Sequence, residues 1–230
     1  MAKKRISRSR KRDLEQPDEF ITLWTKLFRF ASENRILLAS ALGAIVVLII
    51  VVLGVVYYVK TSENQSFALL EQAMNKYQTA AESNGPFKAY HEVDSNFQSI
   101  LEKYSTRRGG KLARFLYANI CYDADKYNKA VELYNQSLSD FKDEPFLKKL
   151  VLTSLGYAHK RQKDYPAAAR FFEMVVKEPD SNMKDEALFN LGELYATMGD
   201  HDKSIEAFNN ILSNYVDSMY IDIVKEKVKG

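Results

Sequence analysis

The sequence contains little of what most catalytic and metal-binding centres are built from. Its one cysteine, Cys121, cannot form a disulfide within the chain. The three histidines are scattered, so no His-x-x-x-His pair is available to bind zinc from one helix face. A phosphate-binding glycine loop and a Gly-x-Ser-x-Gly nucleophile turn are also missing. We therefore expect a protein that is not an enzyme and that uses no cofactor, metal or small-molecule substrate.

Charge is missing altogether from residues 36–59. As a helix this segment would be about 36 Å long, enough to cross the ~30 Å hydrocarbon core of a bilayer. The alternative, a cleaved signal peptide, has an apolar region of about 7–15 residues and a small-residue cleavage site. Here the apolar run is longer and ends in Tyr57, Tyr58 and Val59. The sequence thus predicts an uncleaved transmembrane helix, with the two tyrosines at the membrane interface.

Lysine and arginine are unevenly distributed on the two sides of this segment. Residues 1–35 carry ten Lys/Arg and five Asp/Glu, whereas residues 60–230 carry 23 and 25. Because basic flanks stay in the cytoplasm, we expect a single-pass protein with residues 60–230 across the membrane, which in a bacterium means the periplasm or the cell exterior. The basic run in 1–16 would also suit nucleic acid, but no folded basic surface accompanies it. We interpret it as a disordered topology-setting cytoplasmic tail and expect no nucleic-acid partner.

Residues 17–35, between the tail and the membrane segment, have an apolar stripe with helical spacing. Its members are Phe20, Trp24, Leu27, Phe28 and Ala31. The stripe predicts an amphipathic juxtamembrane helix lying on the inner membrane face. An extended start of the transmembrane helix is the alternative.

Three segments of the remaining chain repeat one pattern, beginning at Tyr117, Leu155 and Leu191. Each opens with a large residue and a small one, has a second small residue twelve positions later, and an aromatic residue four positions after that. These positions hold Ala118, Gly156 and Gly192, then Ala130, Ala168 and Ser204, then Tyr134, Phe172 and Phe208. Small residues let two antiparallel helices touch, and the aromatic fills the space beneath the next pair. Each pair leaves one apolar face bare, so the pairs must stack.

This pattern resembles the tetratricopeptide repeat, although the spacings of 38 and 36 residues exceed the usual 34. The expected fold class is therefore all-α, with one N-terminal transmembrane helix followed by a tetratricopeptide-repeat α-solenoid of helical hairpins at 60–230. Its expected parts are a degenerate hairpin at 62–104, repeats at about 111–144, 149–182 and 185–218, and a capping helix at 217–229.

The resemblance implies a concave wall lined by the first helix of each repeat. Helical spacing predicts that this wall presents Ala196 and eight residues that we expect to contact a partner, which are Phe115, Asn119, Tyr122, Thr153, Tyr157, Lys160, Phe189 and Glu193. An aromatic wall with few charges favours an apolar or helical protein segment as the partner. Some members of the family bind a C-terminal carboxylate with lysine and asparagine, but only Asn119 suits that role, since Phe115 stands where the key lysine would be. The alternative for Phe115 and Phe189 is packing against neighbouring helices.

The run Gly199-Asp200-His201-Asp202 places two carboxylates around an imidazole. It could bind a metal or act as an acid–base pair. The repeats favour another interpretation, since His201 aligns with Tyr127 and Tyr165, which share no metal chemistry with it. We expect Gly199 to end one helix in a left-handed cap and Asp200 to cap the next helix.

The whole layout resembles the bacterial ancillary SecYEG translocon subunit family, with a short charged cytoplasmic end that includes Phe30-Ala31-Ser32-Glu33-Asn34, one membrane helix and an exported repeat domain. That resemblance implies a non-catalytic inner-membrane accessory of the protein-export translocon. Its expected partners are translocon subunits, periplasmic chaperones and emerging polypeptides.

Two other functions have the same repeat domain. One is an exported scaffold for envelope assembly, cell-wall synthesis or cell division. The other is an organelle import receptor with cytosolic repeats, which the basic N-terminus argues against. Solenoid grooves are chemically generic, so the sequence leaves the identity of the partner open.

Overall fold

The computed structural model describes residues 19–180 and 182–229, and the predicted basic tail at 1–16 lies outside them. The described residues form ten α-helices and no strand. The helices are α1 Glu19–Glu33, α2 Arg35–Asn84, α3 Pro86–Tyr104, α4 Arg108–Asp123, α5 Tyr127–Asp140, α6 Pro145–Arg161, α7 Tyr165–Lys177, α8 Lys184–Met198, α9 His201–Asn214 and α10 Ile221–Lys229.

Contacts divide the chain into two units, with the boundary between Val59 and Lys60. The first unit contains α1 and the apolar part of α2, whose side chains are exposed and whose length and composition are sufficient to cross a membrane. Trp24, Leu27 and Phe28 are exposed on α1. Helix α2 does not end where the apolar segment ends, but continues to Asn84.

The second unit is a stack of helical hairpins, in which α4 pairs with α5, α6 with α7 and α8 with α9. The close approach predicted from the small residues is confirmed. A Cβ atom added to Gly156 would lie 2.7 Å from the ring of Phe172, and one added to Gly192 would lie 2.3 Å from the ring of Phe208. Both rings are buried, so the second and third repeats are each built on an aromatic ring lying directly against a glycine.

The turn inside each hairpin has one residue in the left-handed region, with φ of 58° at Asp125, 63° at Lys163 and 80° at Gly199. The left-handed cap predicted at Gly199 is therefore confirmed, and glycine adopts it without strain. The same backbone hydrogen bond closes each turn, from the N–H of one residue to the carbonyl oxygen five residues earlier. Lys126 donates to Cys121 at 2.8 Å, Asp164 to His159 at 3.0 Å and Asp200 to Tyr195 at 2.9 Å. The three repeats are thus equivalent in backbone as well as in sequence.

Aspartate side chains cap the second helix in two of the three hairpins. The backbone N–H of Ala167 donates to Asp164 at 3.2 Å, and that of Lys203 donates to Asp200 at 3.3 Å. In the first hairpin Lys126 occupies the capping position, one residue after Asp125. The run at 199–202 is a helix cap, as the repeat alignment predicted.

Two clusters of buried side chains form the core of this unit, one centred on α3–α5 and the other on α7–α10. Leu70 and Ala73, from the end of α2, belong to the first cluster. Cys121 is fully buried in the same cluster, which raises the pKa of its thiol to about 12. Cys121 is thus a packing residue of the core.

Candidate partner-binding groove

The first helices of the hairpins, α4, α6 and α8, carry the eight residues predicted to contact a partner. Phe115 and Thr153 lie inside the core, with exposures of 8% and 5%. The Phe115 ring packs against Tyr134 with a centroid separation of 6.0 Å. These two side chains therefore belong to the packing between helices.

The predicted wall residues on α8 face the C-terminal end of the chain itself. The ring of Phe189 stacks on that of Tyr220, with centroids 4.4 Å apart and planes 14° from parallel. Glu193 forms a 2.6 Å ion pair with Lys227. Val224 is fully buried against the same cluster, so α10 lies beside α8 as the first helix of a further repeat would.

Tyr157 and Lys160 connect α6 to α8. The Tyr157 hydroxyl donates to Glu186 at 2.6 Å and accepts from Asn190 Nδ2 at 3.0 Å, and Lys160 Nζ donates to Asn190 Oδ1 at 3.1 Å. Asn190 is buried, so its amide needs these partners. The network fixes the position of one repeat on the next.

Between α4 and α6 the inner wall opens into a cavity of about 330 Å³. Its lining residues are Asn119, Tyr122, Asp123, Tyr134, Ser154 and Tyr157, which we call the tyrosine groove. Three of the eight predicted residues, Asn119, Tyr122 and Tyr157, come together here. Sequence reasoning did not single out Asp123, although it follows Asn119 by four residues and therefore shares its helix face.

The rings of the tyrosine groove are held by contacts behind them. Tyr134 donates its hydroxyl proton to Asn119 Oδ1 at 2.6 Å. The ring of Tyr122 packs edge-on against Tyr127, with ring centroids 5.5 Å apart, and the ring of Tyr157 packs edge-on against Phe172, with centroids 5.3 Å apart. Such fixed aromatic surfaces lose little conformational entropy when a partner binds.

Asp123 is the one carboxylate in the lining of the groove. Partial burial raises the pKa of Asp123, and a hydrogen bond donated by the Tyr77 hydroxyl opposes that shift. Within the described part of the chain, no lysine or arginine lies at ion-pair distance from it. The groove thus combines aromatic surface with one negative charge that has no basic partner.

No group of three or more His, Cys, Asp or Glu in the described residues could hold a metal ion. Asp200 instead pairs with Lys203 at 2.8 Å, and that hydrogen bond and charge lower the pKa of its carboxyl.

A family model for the tetratricopeptide repeat-like domain matches residues 38–229. The chain belongs to this family. The match begins at Leu38, inside the apolar segment, so the family's common region includes that segment together with the hairpins. Tetratricopeptide folds are typically non-catalytic scaffolds that bind other proteins.

Solved structures share the fold at low sequence identity. BtubC (BKLC) from P. vanneervenii is 15% identical, with 70% of each chain covered and a TM-score of 0.54. A putative kinesin light chain from Podosopora anserina, with nearly identical TPR-like repeats, is also 15% identical. That match covers 66% of this chain and 75% of the other, with a TM-score of 0.52. No curated protein matches the chain.

Proposed function

We propose that this tetratricopeptide protein is a single-pass scaffold of the bacterial inner membrane, which links the protein-export translocon to periplasmic chaperones and emerging polypeptides. The observation that carries the proposal is the extent of the family match, because the matched region, residues 38–229, joins an apolar segment to the repeats. A scaffold beside a membrane channel needs both parts. The exposed aromatic residues Trp24 and Phe28 on α1 also suit a membrane surface.

The proposed topology puts residues 1–35 in the cytoplasm, the apolar part of α2 in the bilayer and residues 60–230 in the periplasm. It rests on the excess of lysine and arginine before the apolar segment. An alkaline phosphatase fused after Gly230 should be active, because that enzyme folds only on the periplasmic side. An inactive fusion, with a full-length product on an immunoblot, would contradict the topology.

We propose the tyrosine groove as the site that contacts partners, with Asn119, Tyr122 and Tyr157 as direct contacts. Phe115, Thr153, Lys160, Phe189 and Glu193 would act by holding the wall in place. This assignment is supported by packing. The groove is open, whereas Asn190 bridges the wall between α6 and α8, and Tyr220 and Lys227 cover the wall on α8.

The partner is identified by chemical crosslinking in native membranes followed by mass spectrometry. We expect crosslinks to translocon subunits and periplasmic chaperones, and fewer of them with Tyr122→Leu. The control is Ile205→Ser, at an exposed position on α9, which should leave the crosslinks unchanged. Crosslinks to cell-wall synthases instead would favour the envelope-assembly scaffold.

A further inference from the structure

We infer that the tyrosine groove receives a lysine or arginine side chain of the bound protein segment, with Asp123 as its counter-ion and Tyr122 and Tyr157 as its aromatic walls. The inference rests on the proposed function, since it names the chemistry that the proposed site would recognise.

The charge of Asp123 is the first reason. On α8 the carboxylate of Glu193 pairs with Lys227 at 2.6 Å. Asp123, in contrast, has no basic partner among the described residues and accepts a hydrogen bond from the neutral phenol of Tyr77. Asp123 is exposed to solvent and open to a partner. A cation supplied by a partner would form a charge-assisted hydrogen bond there, which is stronger than a bond between neutral groups.

The cations nearest the groove are engaged elsewhere. Arg161, at the end of α6, lies over the ring of Tyr127 at 5.4 Å and contacts Asp125 at 3.4 Å. Lys160 donates to Asn190. A basic group that pairs with Asp123 would therefore come from another molecule.

The aromatic lining is the second reason. Tyrosine rings attract ammonium and guanidinium groups through their negatively charged faces. The chain already uses this contact twice close by, where Lys129 lies 4.8 Å from the centroid of Tyr117 and Arg161 lies over Tyr127. The amide of Asn119 and the hydroxyl of Ser154 add hydrogen-bonding groups at the same place.

The size of the groove fits one long side chain. Its volume of about 330 Å³ is near the lower end of the roughly 300–1,000 Å³ that ligand sites occupy. A whole helix would not fit, whereas a lysine or arginine could enter from a segment lying across α4 and α6. An apolar side chain would leave Asp123 without a cation and partly desolvated, which disfavours it.

The test uses the full-length protein in lipid nanodiscs and, as the probe, a phage-displayed library of random dodecapeptides. Peptides enriched on the wild type should share one lysine or arginine at a fixed position. Asp123→Asn should weaken their binding about tenfold, the usual loss when one charge-assisted hydrogen bond is removed. Glu206→Gln, which removes an exposed carboxylate on α9, is the matched control and should bind as the wild type does.

A second arm shows that the two charges act on each other. Replacing the shared basic residue of a selected peptide by glutamine should weaken binding to the wild type about tenfold. The same replacement should have almost no effect on binding to Asp123→Asn, because the pair is already broken.

The outcomes separate the two proposals. Enriched peptides that lack a common basic residue, or that bind Asp123→Asn as tightly as the wild type, would overturn the inference and leave the groove as a protein-binding site. If the wild type enriches no peptide, both the docking site and the inference are overturned. Circular dichroism of each variant checks that the fold is intact.

Discussion

The inner wall between α4 and α6 and the inner wall between α8 and α10 are built from equivalent positions but end up differently. Between α4 and α6, Asn119 and Tyr122 line an open groove. Between α8 and α10, Tyr220 covers Phe189 and Lys227 pairs with Glu193. The position of a residue within its repeat determines whether its side chain lies on the inner wall. The next helix in the stack determines whether that side chain is open to a partner or covered.

The interface between α6 and α8 shows what closes a groove. Asn190 stands on α8 where Ser154 stands on α6, and it reaches back to Tyr157 and Lys160. Ser154 is too short to make the same bridge to α4. The tyrosine groove therefore exists because a small residue occupies a position that a longer amide fills in the next repeat.

The largest expected effect tests whether the second and third repeats are packed in the same way. Phe172→Ala and Phe208→Ala each remove a buried ring that lies against a glycine. Each should lower the free energy of unfolding by about 4 kcal/mol. Urea denaturation measures both. A cost below about 1 kcal/mol for either ring would mean that the repeats are not equivalent in packing.

The next effect concerns the covered region. Val224→Asp puts a charge at a fully buried position between α10 and its neighbours, and should lower the free energy of unfolding by about 3 kcal/mol. Hydrogen exchange should become fast in residues 221–229 while α4 and α5 stay protected. Ile223→Asp is the matched control, because Ile223 is 49% exposed on the same helix. Equal behaviour of the two variants would show that α10 is not docked.

Ser154→Asn should close the tyrosine groove between α4 and α6. The longer amide can bridge to Asn119 and Tyr122 as Asn190 bridges to Tyr157 and Lys160. Binding of peptides selected on the wild type should fall about tenfold, equivalent to about 1.4 kcal/mol, with an unchanged melting temperature. Ser154→Ala, which keeps the groove empty, should bind normally. Unchanged binding by Ser154→Asn would show that partners dock elsewhere.

The smallest expected effects are changes in stability, which should have opposite signs on α8 and in the tyrosine groove. Glu193→Gln breaks an ion pair and should lower stability by up to about 1 kcal/mol. Asp123→Asn removes a partly desolvated charge without a basic partner, and should raise stability by up to about 0.5 kcal/mol, a small gain because solvent screens the group.

The pH dependence of that gain follows from the raised pKa of Asp123. A carboxyl with a raised folded-state pKa costs stability as pH rises through that pKa, so the gain in Asp123→Asn should appear near neutral pH. It should vanish below the ordinary carboxyl pKa, where the wild-type group is protonated in both states. Thermal unfolding at both pH values measures the difference. A less stable Asp123→Asn at neutral pH would show that the carboxylate is structural.

Local chemistry is what made the fold predictable from the sequence. Gly156 and Gly192 marked the close helix contacts, and Gly199 marked a left-handed turn. Asp125 and Lys163 adopt the same backbone conformation without a glycine, so the sequence carried no signal of it. The sequence predicts local structure where one residue type is needed for it, as glycine is at a close helix contact.

The groove was only partly predictable, because its shape depends on contacts between distant residues. Helical spacing identified Asn119 and Tyr122, but nothing near Phe189 in sequence shows that Tyr220 stacks on it. The covering of one region and the opening of the other depend on α10 and on the size of residue 154. Both are tertiary effects.

Photo-crosslinking from equivalent positions of the two regions tests the central claim most directly. A photoreactive phenylalanine derivative is placed at Tyr122 or at Ala196, which occupies the same register on α8, and the full-length protein is irradiated in cells. We predict adducts with export-machinery proteins from position 122, reduced when Asp123→Asn is added, and none from position 196. Adducts from position 196 with none from position 122 would contradict the account.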